Sequence, residues 1–212
     1  MRITIVYDNE TSIAGVDSDW GFSCLVEAHG RTILFDTGAN GSILLGNMKV
    51  LQIDPLTVEE IFISHSHFDH AGGLSEFINV NGDVTIYTPG SLRGIHPARN
   101  VLYVNDPLRL HQHFYSTGLL NNIEQSLVVE TAKGVVIIVG CSHPGVESIL
   151  KASSRYGKPR AIIGGLHGFD DFQLLAGLDR VCPTHCTQHK SEIAALYPDK
   201  YIAGGVGKVI DI

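Results

Sequence analysis

The sequence has no run of apolar residues approaching the roughly 20 needed to span a bilayer. Its N-terminus, Met1-Arg2-Ile3-Thr4-Ile5-Val6-Tyr7-Asp8, enters an alternating segment with no apolar signal core and no small-residue cleavage site. A soluble, cytoplasmic protein without a membrane partner is therefore expected. Charge is sparse as well: 17% of residues are charged against 44% hydrophobic, which excludes the composition of a disordered chain. Positive charge is scarcest in the first half, where residues 1–106 carry 5 basic and 13 acidic side chains, against 10 and 9 in 107–212. Lys151, Arg155, Lys158 and Arg160 form the one local basic cluster. With no basic stripe to track a phosphate backbone, nucleic acid is not the favoured partner.

Cysteine is scarce too. Cys24, Cys141, Cys182 and Cys186 are too few and too irregular for a disulfide framework, and the Cys182/Cys186 pair lacks the second pair of a zinc-ribbon site. All four read as small buried hydrophobes. No Ser/Gly-rich linker interrupts the chain, so one domain over 1–212 is expected, large enough to bury a substantial core.

What the sequence does have is a series of short Val- and Ile-rich runs closed by Gly or polar residues, which read as buried strands. They fall at 2–7, 22–28, 31–36, 61–64, 84–87, 126–131, 135–139, 161–164, 181–184 and 200–203. Helical spacing appears at 41–52, 145–155, 170–178 and 190–197, and most prolines fall at boundaries between segments. Strands outnumber helices and arrive partly as hairpins, which predicts an α+β protein: two sheets packed face to face with helices outside, a four-layer αββα sandwich.

Eleven histidines are present, and four strands each deliver one just past their C-terminal end: His65 after 61–64, His143 after 135–139, His167 after 161–164 and His185 after 181–184. Ser64-His65-Ser66-His67-Phe68-Asp69-His70 is the densest stretch. In an extended segment His65 and His67 point the same way and can reach one ion, while a turn at Phe68 lets Asp69 and His70 face a second. Neutral imidazole is a good borderline ligand, and carboxylate adds charge and a hard oxygen. His167, in Gly164-Gly165-Leu166-His167-Gly168, can equally be a ligand, a hydrogen-bond donor to substrate or a loop residue.

The pattern His65-x-His67-x-Asp69-His70 followed by single distant histidines resembles the metallo-β-lactamase superfamily. Val6-Tyr7-Asp8-Asn9, Asp19-Trp20-Gly21-Phe22-Ser23, Leu34-Phe35-Asp36-Thr37-Gly38, Gly140-Cys141-Ser142-His143-Pro144-Gly145 and Pro183-Thr184-His185-Cys186-Thr187 are similar to one branch. That branch includes 7,8-dihydropterin-6-methyl-4-(β-D-ribofuranosyl)aminobenzene 5′-phosphate synthases and many metal-dependent hydrolases. The resemblance implies one or two divalent ions, zinc by default and iron or manganese as alternatives, on His65, His67 and His143 and on Asp69, His70 and His185. It also implies that Asp36 orients a ligating histidine. His167 stands near the position where much of the superfamily has an aspartate bridging two metals.

The activity implied is hydrolysis of a small-molecule ester or phosphoester by a metal-activated water, with Asp69 steering the water and His167 beside the substrate. Two alternatives are a phosphoribosyl-type transferase like the synthase and a non-hydrolytic redox or metal-binding module. The segment 88–125 least resembles regular structure. Folded as a lid, it would let Arg93 and Arg109 grip an anionic substrate.

Overall fold

The computed structural model describes residues 1–212, which form two compact units: Met1–Val104 with Gly204–Ile212, and Asn105–Ala203. In the first unit the strands β1 (Arg2–Tyr7), β2 (Ser23–Ala28), β3 (Arg31–Phe35), β4 (Glu60–Phe62), β5 (Thr85–Thr88) and β6 (Asn100–Tyr103) join the last strand of the chain, β13 (Val209–Asp211). They build one sheet in the order β13-β1-β2-β3-β4-β5-β6. The hairpins β1-β2-β3 are antiparallel, whereas β3 through β6 run parallel. The C-terminal ends of β3 and β4 therefore open at the same edge of the sheet.

Helices α1 (Gly41–Val50), α2 (Phe68–Ala71) and α3 (Leu74–Val80) complete this unit. Asn40 caps α1 by accepting hydrogen bonds from the Ser42 and Ile43 amides. Leu44 and Met48 of α1 and Leu74, Phe77 and Ile78 of α3 pack on one face of the sheet against Val6, Leu25, Leu34, Ile61 and Ile86. Alternate residues pointing the other way, Ile33, Phe35 and Phe62 among them, are fully buried too. That double burial explains why the strands read as continuous apolar runs instead of alternating ones.

The second unit holds β7 (Leu108–His111), β8 (Phe114–Ser116), β9 (Leu127–Thr131), β10 (Gly134–Val139), β11 (Pro159–Gly165) and β12 (Arg180–Thr184), in the order β12-β11-β10-β9-β8-β7. Strands β10, β11 and β12 are parallel neighbours. Helices α4 (Val146–Ser153) and α5 (Lys190–Leu196) cover one face, with Val146, Ile149 and Ile193 against Ile137, Val139, Ile162 and Val181. No helix of the protein is long and apolar enough to cross a membrane. The α+β class with two large sheets is thus as expected.

Several local expectations need correction. The helix expected at 170–178 is a single 3-10 turn, Phe172–Leu175, and the strand expected at 200–203 is one isolated bridge from Tyr201 to Val181. The segment 88–125 is more regular than expected: it supplies β6 to the first sheet and β7 and β8 to the second. Within it the Arg93 guanidinium lies 4.1 Å from the Tyr103 ring centroid, and Arg109 donates from Nε to the His111 carbonyl. Neither α2 nor α3 was expected as a helix, because Gly72-Gly73 between them reads as a turn.

Candidate metal-binding residues

In the first unit, the chain leaves β3 and β4 at the same edge and turns at once. Asp36 follows β3 in the left-handed region, with φ of 53°, and its amide donates to the Phe62 carbonyl. Its fully buried carboxylate takes three hydrogen bonds: from the Ser64 amide (2.7 Å), the Ser64 hydroxyl (2.7 Å) and His70 Nδ1 (2.7 Å). The Ser64 hydroxyl proton is committed to Asp36, so the 2.8 Å contact between Ser64 Oγ and His65 Nδ1 has His65 as donor. One carboxylate therefore puts the protons of both His65 and His70 on Nδ1 and leaves Nε2 of each ring as the lone-pair nitrogen.

The His65 Nε2 atom lies 3.1 Å from His67 Nδ1. Two nitrogens on one tetrahedral zinc, each about 2.0–2.1 Å from the ion, are about 3.3 Å apart. The pair is thus spaced as two ligands of a single ion are. Asp69 and His70 make a second pair, with Asp69 Oδ2 3.9 Å from His70 Nε2. Imidazole and carboxylate, the donors of these two pairs, suit a divalent transition ion.

Asp69 is itself clasped. Trp20 donates from its indole nitrogen to Asp69 Oδ2 (2.9 Å), and the Phe22 amide donates to the Asp69 carbonyl (3.1 Å). Between them sits Gly21, where a Cβ would come 2.5 Å from the Asp69 carbonyl oxygen, so only glycine allows the approach. Trp20 is half exposed and Phe68 is two-thirds exposed, two aromatic residues next to Asp69 by hydrogen bond and by sequence. Replacing Trp20 with Phe keeps a ring and removes the donor. The expected result is a several-fold weaker Zn²⁺ affinity at unchanged thermal stability; an unaltered affinity would mean the indole does not hold Asp69.

In the second unit the parallel strands β10, β11 and β12 end together, and each is followed by a residue with positive φ: Ser142 (59°), His167 (49°) and His185 (47°). Non-glycine residues adopt this conformation seldom, and such positions concentrate at functional sites. The three turns are stitched to one another. Ser142 Oγ donates to the Gly165 carbonyl, the Leu166 amide to Thr187 Oγ1 and the Gln188 amide to the His167 carbonyl. The rings of His143 and His167 are 5.3 Å apart, and both residues line an open depression of about 340 Å³ with Leu166 and Phe169.

Two features of this unit carry no local signal in the sequence. Glu124, fully buried, accepts hydrogen bonds from the amides of Gly140, Cys141, Ser142 and His143 at 3.0–3.1 Å. This carboxylate fixes the turn that presents His143. Glu124→Gln exchanges a charged acceptor for an amide that can satisfy fewer of those donors. It is expected to cost about 3 kcal/mol, lowering the thermal midpoint by roughly 10 °C; an unchanged unfolding curve would contradict this role.

The second feature corrects the reading of all four cysteines as small buried hydrophobes. Cys186 is only partly buried, and its Sγ lies 3.2 Å from Cys141 Sγ. Hydrogen bonding to the Cys141 thiol lowers the Cys186 pKa, against the opposing effect of burial. Cys141 also brings its sulfur within 4.8 Å of a ring nitrogen of His185.

A family model described as the metallo-β-lactamase superfamily matches residues 21–106. A Methanocaldococcus jannaschii protein named 7,8-dihydropterin-6-methyl-4-(β-D-ribofuranosyl)-aminobenzene-5′-phosphate synthase is 27% identical, with 88% of this chain and 88% of that protein covered. Among solved structures, a metal-dependent hydrolase of the β-lactamase superfamily superposes with a TM-score of 0.82 at 24% identity, covering 100% of this chain and 99% of that one. The metallo-β-lactamase fold protein YhfI from Bacillus subtilis gives 0.70 at 13% identity, covering 99% of both chains. These two structural likenesses establish the fold alone. Taken with the His65-x-His67-x-Asp69-His70 motif, they lead to one conclusion: the chain has the metallo-β-lactamase fold, and its residues 21–106 match that superfamily's model.

Proposed function

We propose that this protein is a metal-dependent hydrolase that cleaves an ester or phosphoester bond in a small anionic molecule. The observation that carries the reading is the hydrogen-bond chain from Asp36, which turns Nε2 of both His65 and His70 into lone-pair donors. His65, His67, Asp69, His70, His143 and His185 are the proposed ligands, for one or two ions with zinc as the default. Once bound, the ion supplies Lewis acidity and lowers the pKa of a water.

The chain's own residues do the rest. Asp36 and Ser64 hold the imidazoles in one tautomer, and Trp20 holds the Asp69 carboxylate so that it can accept a proton from the attacking water. Glu124 keeps the His143 turn rigid. His167 is assigned to the substrate, where an imidazole N–H can donate to an oxygen that gains charge. Arg93 and Arg109 are the candidate grips for the substrate's charge, and each would first have to leave its contact with Tyr103 or His111.

For His167 the expected outcome separates two roles. If it faces substrate, His167→Ala keeps the full metal content and lowers kcat by about 10²-fold. Loss of about one ion per chain would make it a ligand instead, and metal stoichiometry measured beside turnover decides.

A second reading, phosphoribosyl-type transfer, is favoured by the 27% identity to the synthase. The test is to incubate Zn²⁺-, Mn²⁺- or Fe²⁺-loaded protein with aryl phosphoesters and carboxylic esters, and separately with an aromatic acid plus an activated ribose phosphate. Hydrolysis without an acceptor supports the first reading, and pyrophosphate released only with both partners supports the second. Iron with a visible absorption band and peroxide turnover would favour a redox module.

A further inference from the structure

Cys141 and Cys186 are 45 positions apart in sequence, yet their sulfurs are 3.2 Å apart. Each lies in a turn just beyond a strand end, Cys141 after β10 and Cys186 after β12, with β11 between the two strands. Room for the pair is made by Gly165, the last residue of β11. A Cβ there would come 2.7 Å from Cys186 Sγ and 3.3 Å from Cys141 Cα, so a larger residue would push the sulfurs out of position. One member is buried and the other partly accessible, the asymmetry that suits a resolving and an attacking thiol. A disulfide requires the sulfurs to approach to about 2.05 Å, a movement of the size that side-chain rotation provides.

We propose that Cys141 and Cys186 form a reversible dithiol–disulfide pair, a redox-modification site set in the turns that carry His143 and His185. The oxidant is a small organic disulfide. The Cys186 thiolate attacks one of its sulfurs, forming a mixed disulfide and expelling one small thiolate; Cys141 then attacks Cys186 Sγ, closes the protein disulfide and expels the second. The protein loses two protons and two electrons, and the oxidant leaves as two thiols. Because the bond joins the residue two before His143 to the residue after His185, its formation shifts both imidazoles and weakens metal binding. This consequence rests on the proposed ligand roles of His143 and His185, whereas bond formation does not.

The test uses oxidised glutathione on the full chain, followed by alkylation under denaturing conditions and mass spectrometry. The wild type should lose two of its four alkylatable thiols, yield a Cys141–Cys186 cross-linked peptide and recover both thiols with dithiothreitol. A Cys24→Ser/Cys182→Ser double variant should behave the same way. Cys141→Ser should stop at a single glutathione adduct on Cys186, a result that does not depend on any variant being active. A stable adduct on the wild type, or a cross-link through Cys24 or Cys182, overturns the pair. Zn²⁺ titration of oxidised and reduced protein should give about tenfold weaker binding in the oxidised form; equal affinities overturn the coupling to the metal and leave the mass result to stand or fall separately.

Discussion

His67→Ala and His143→Ala are each expected to lower bound metal and to cut turnover by a factor on the order of 10² or more, while the chain stays folded. Loss of a residue that merely orients a ligand typically costs 10- to 100-fold in affinity or activity, so loss of a ligand itself should cost at least that. His67 Nδ1 stands 3.1 Å from His65 Nε2, and its removal leaves His65 without that neighbouring donor for an ion. His143 sits on the turn held by Glu124. Neither residue belongs to the hydrophobic clusters built on α1 and α3 or on α4 and α5, so circular dichroism and the thermal midpoint should stay close to wild type. Full metal occupancy with normal activity in either variant would refute its assignment as a ligand.

Asp36→Asn should have nearly as large an effect from a residue proposed to touch neither metal nor substrate. The carboxylate accepts from the Ser64 amide and hydroxyl and from His70 Nδ1 at once. A carboxamide has one acceptor oxygen, and its NH₂ group faces donors on the other side. With the NH₂ at the Oδ2 position both the Ser64 hydroxyl and His70 lose their acceptor and must turn, and His65, which donates to Ser64, follows; with it at Oδ1 it meets the Ser64 amide N–H instead. Zn²⁺ affinity, measured by competition with a chromophoric chelator, is expected to fall by about 10- to 100-fold. Unmet buried donors add a stability loss of about 2 kcal/mol. A change in affinity under about threefold would show that Asp36 does not set the tautomers.

Much of this arrangement can be read from the sequence because its signals are local. Apolar runs ending in His65, His143, His167 and His185 mark where β-pairing stops and side chains become available, and three of those runs are the parallel neighbours β10, β11 and β12. Of the four strands that went unread, β8 is short, three residues long and mostly buried, and the other three have little burial. Asn100–Tyr103, Leu108–His111 and Val209–Asp211 lie at the edges of their sheets and are largely exposed, so no apolar pattern distinguishes them from loops. Partnerships across long separations are silent for another reason: Glu124 looks like any loop carboxylate until four amides from 140–143 meet it. The same holds for the Cys141–Cys186 contact. Positive φ at Asp36, Ser142, His167 and His185 leaves no compositional trace, since glycine is the residue that normally announces it.

Elemental analysis of protein purified without chelator, then re-equilibrated with Zn²⁺, Mn²⁺ or Fe²⁺ and desalted, reads metal binding by the proposed ligands without reference to any substrate. The wild type should hold one or two divalent ions per chain, and the protein with both His65 and His67 replaced by alanine at least one fewer. Less than about a tenth of an ion per chain under all three conditions, or the same metal content in the double variant, would contradict that binding.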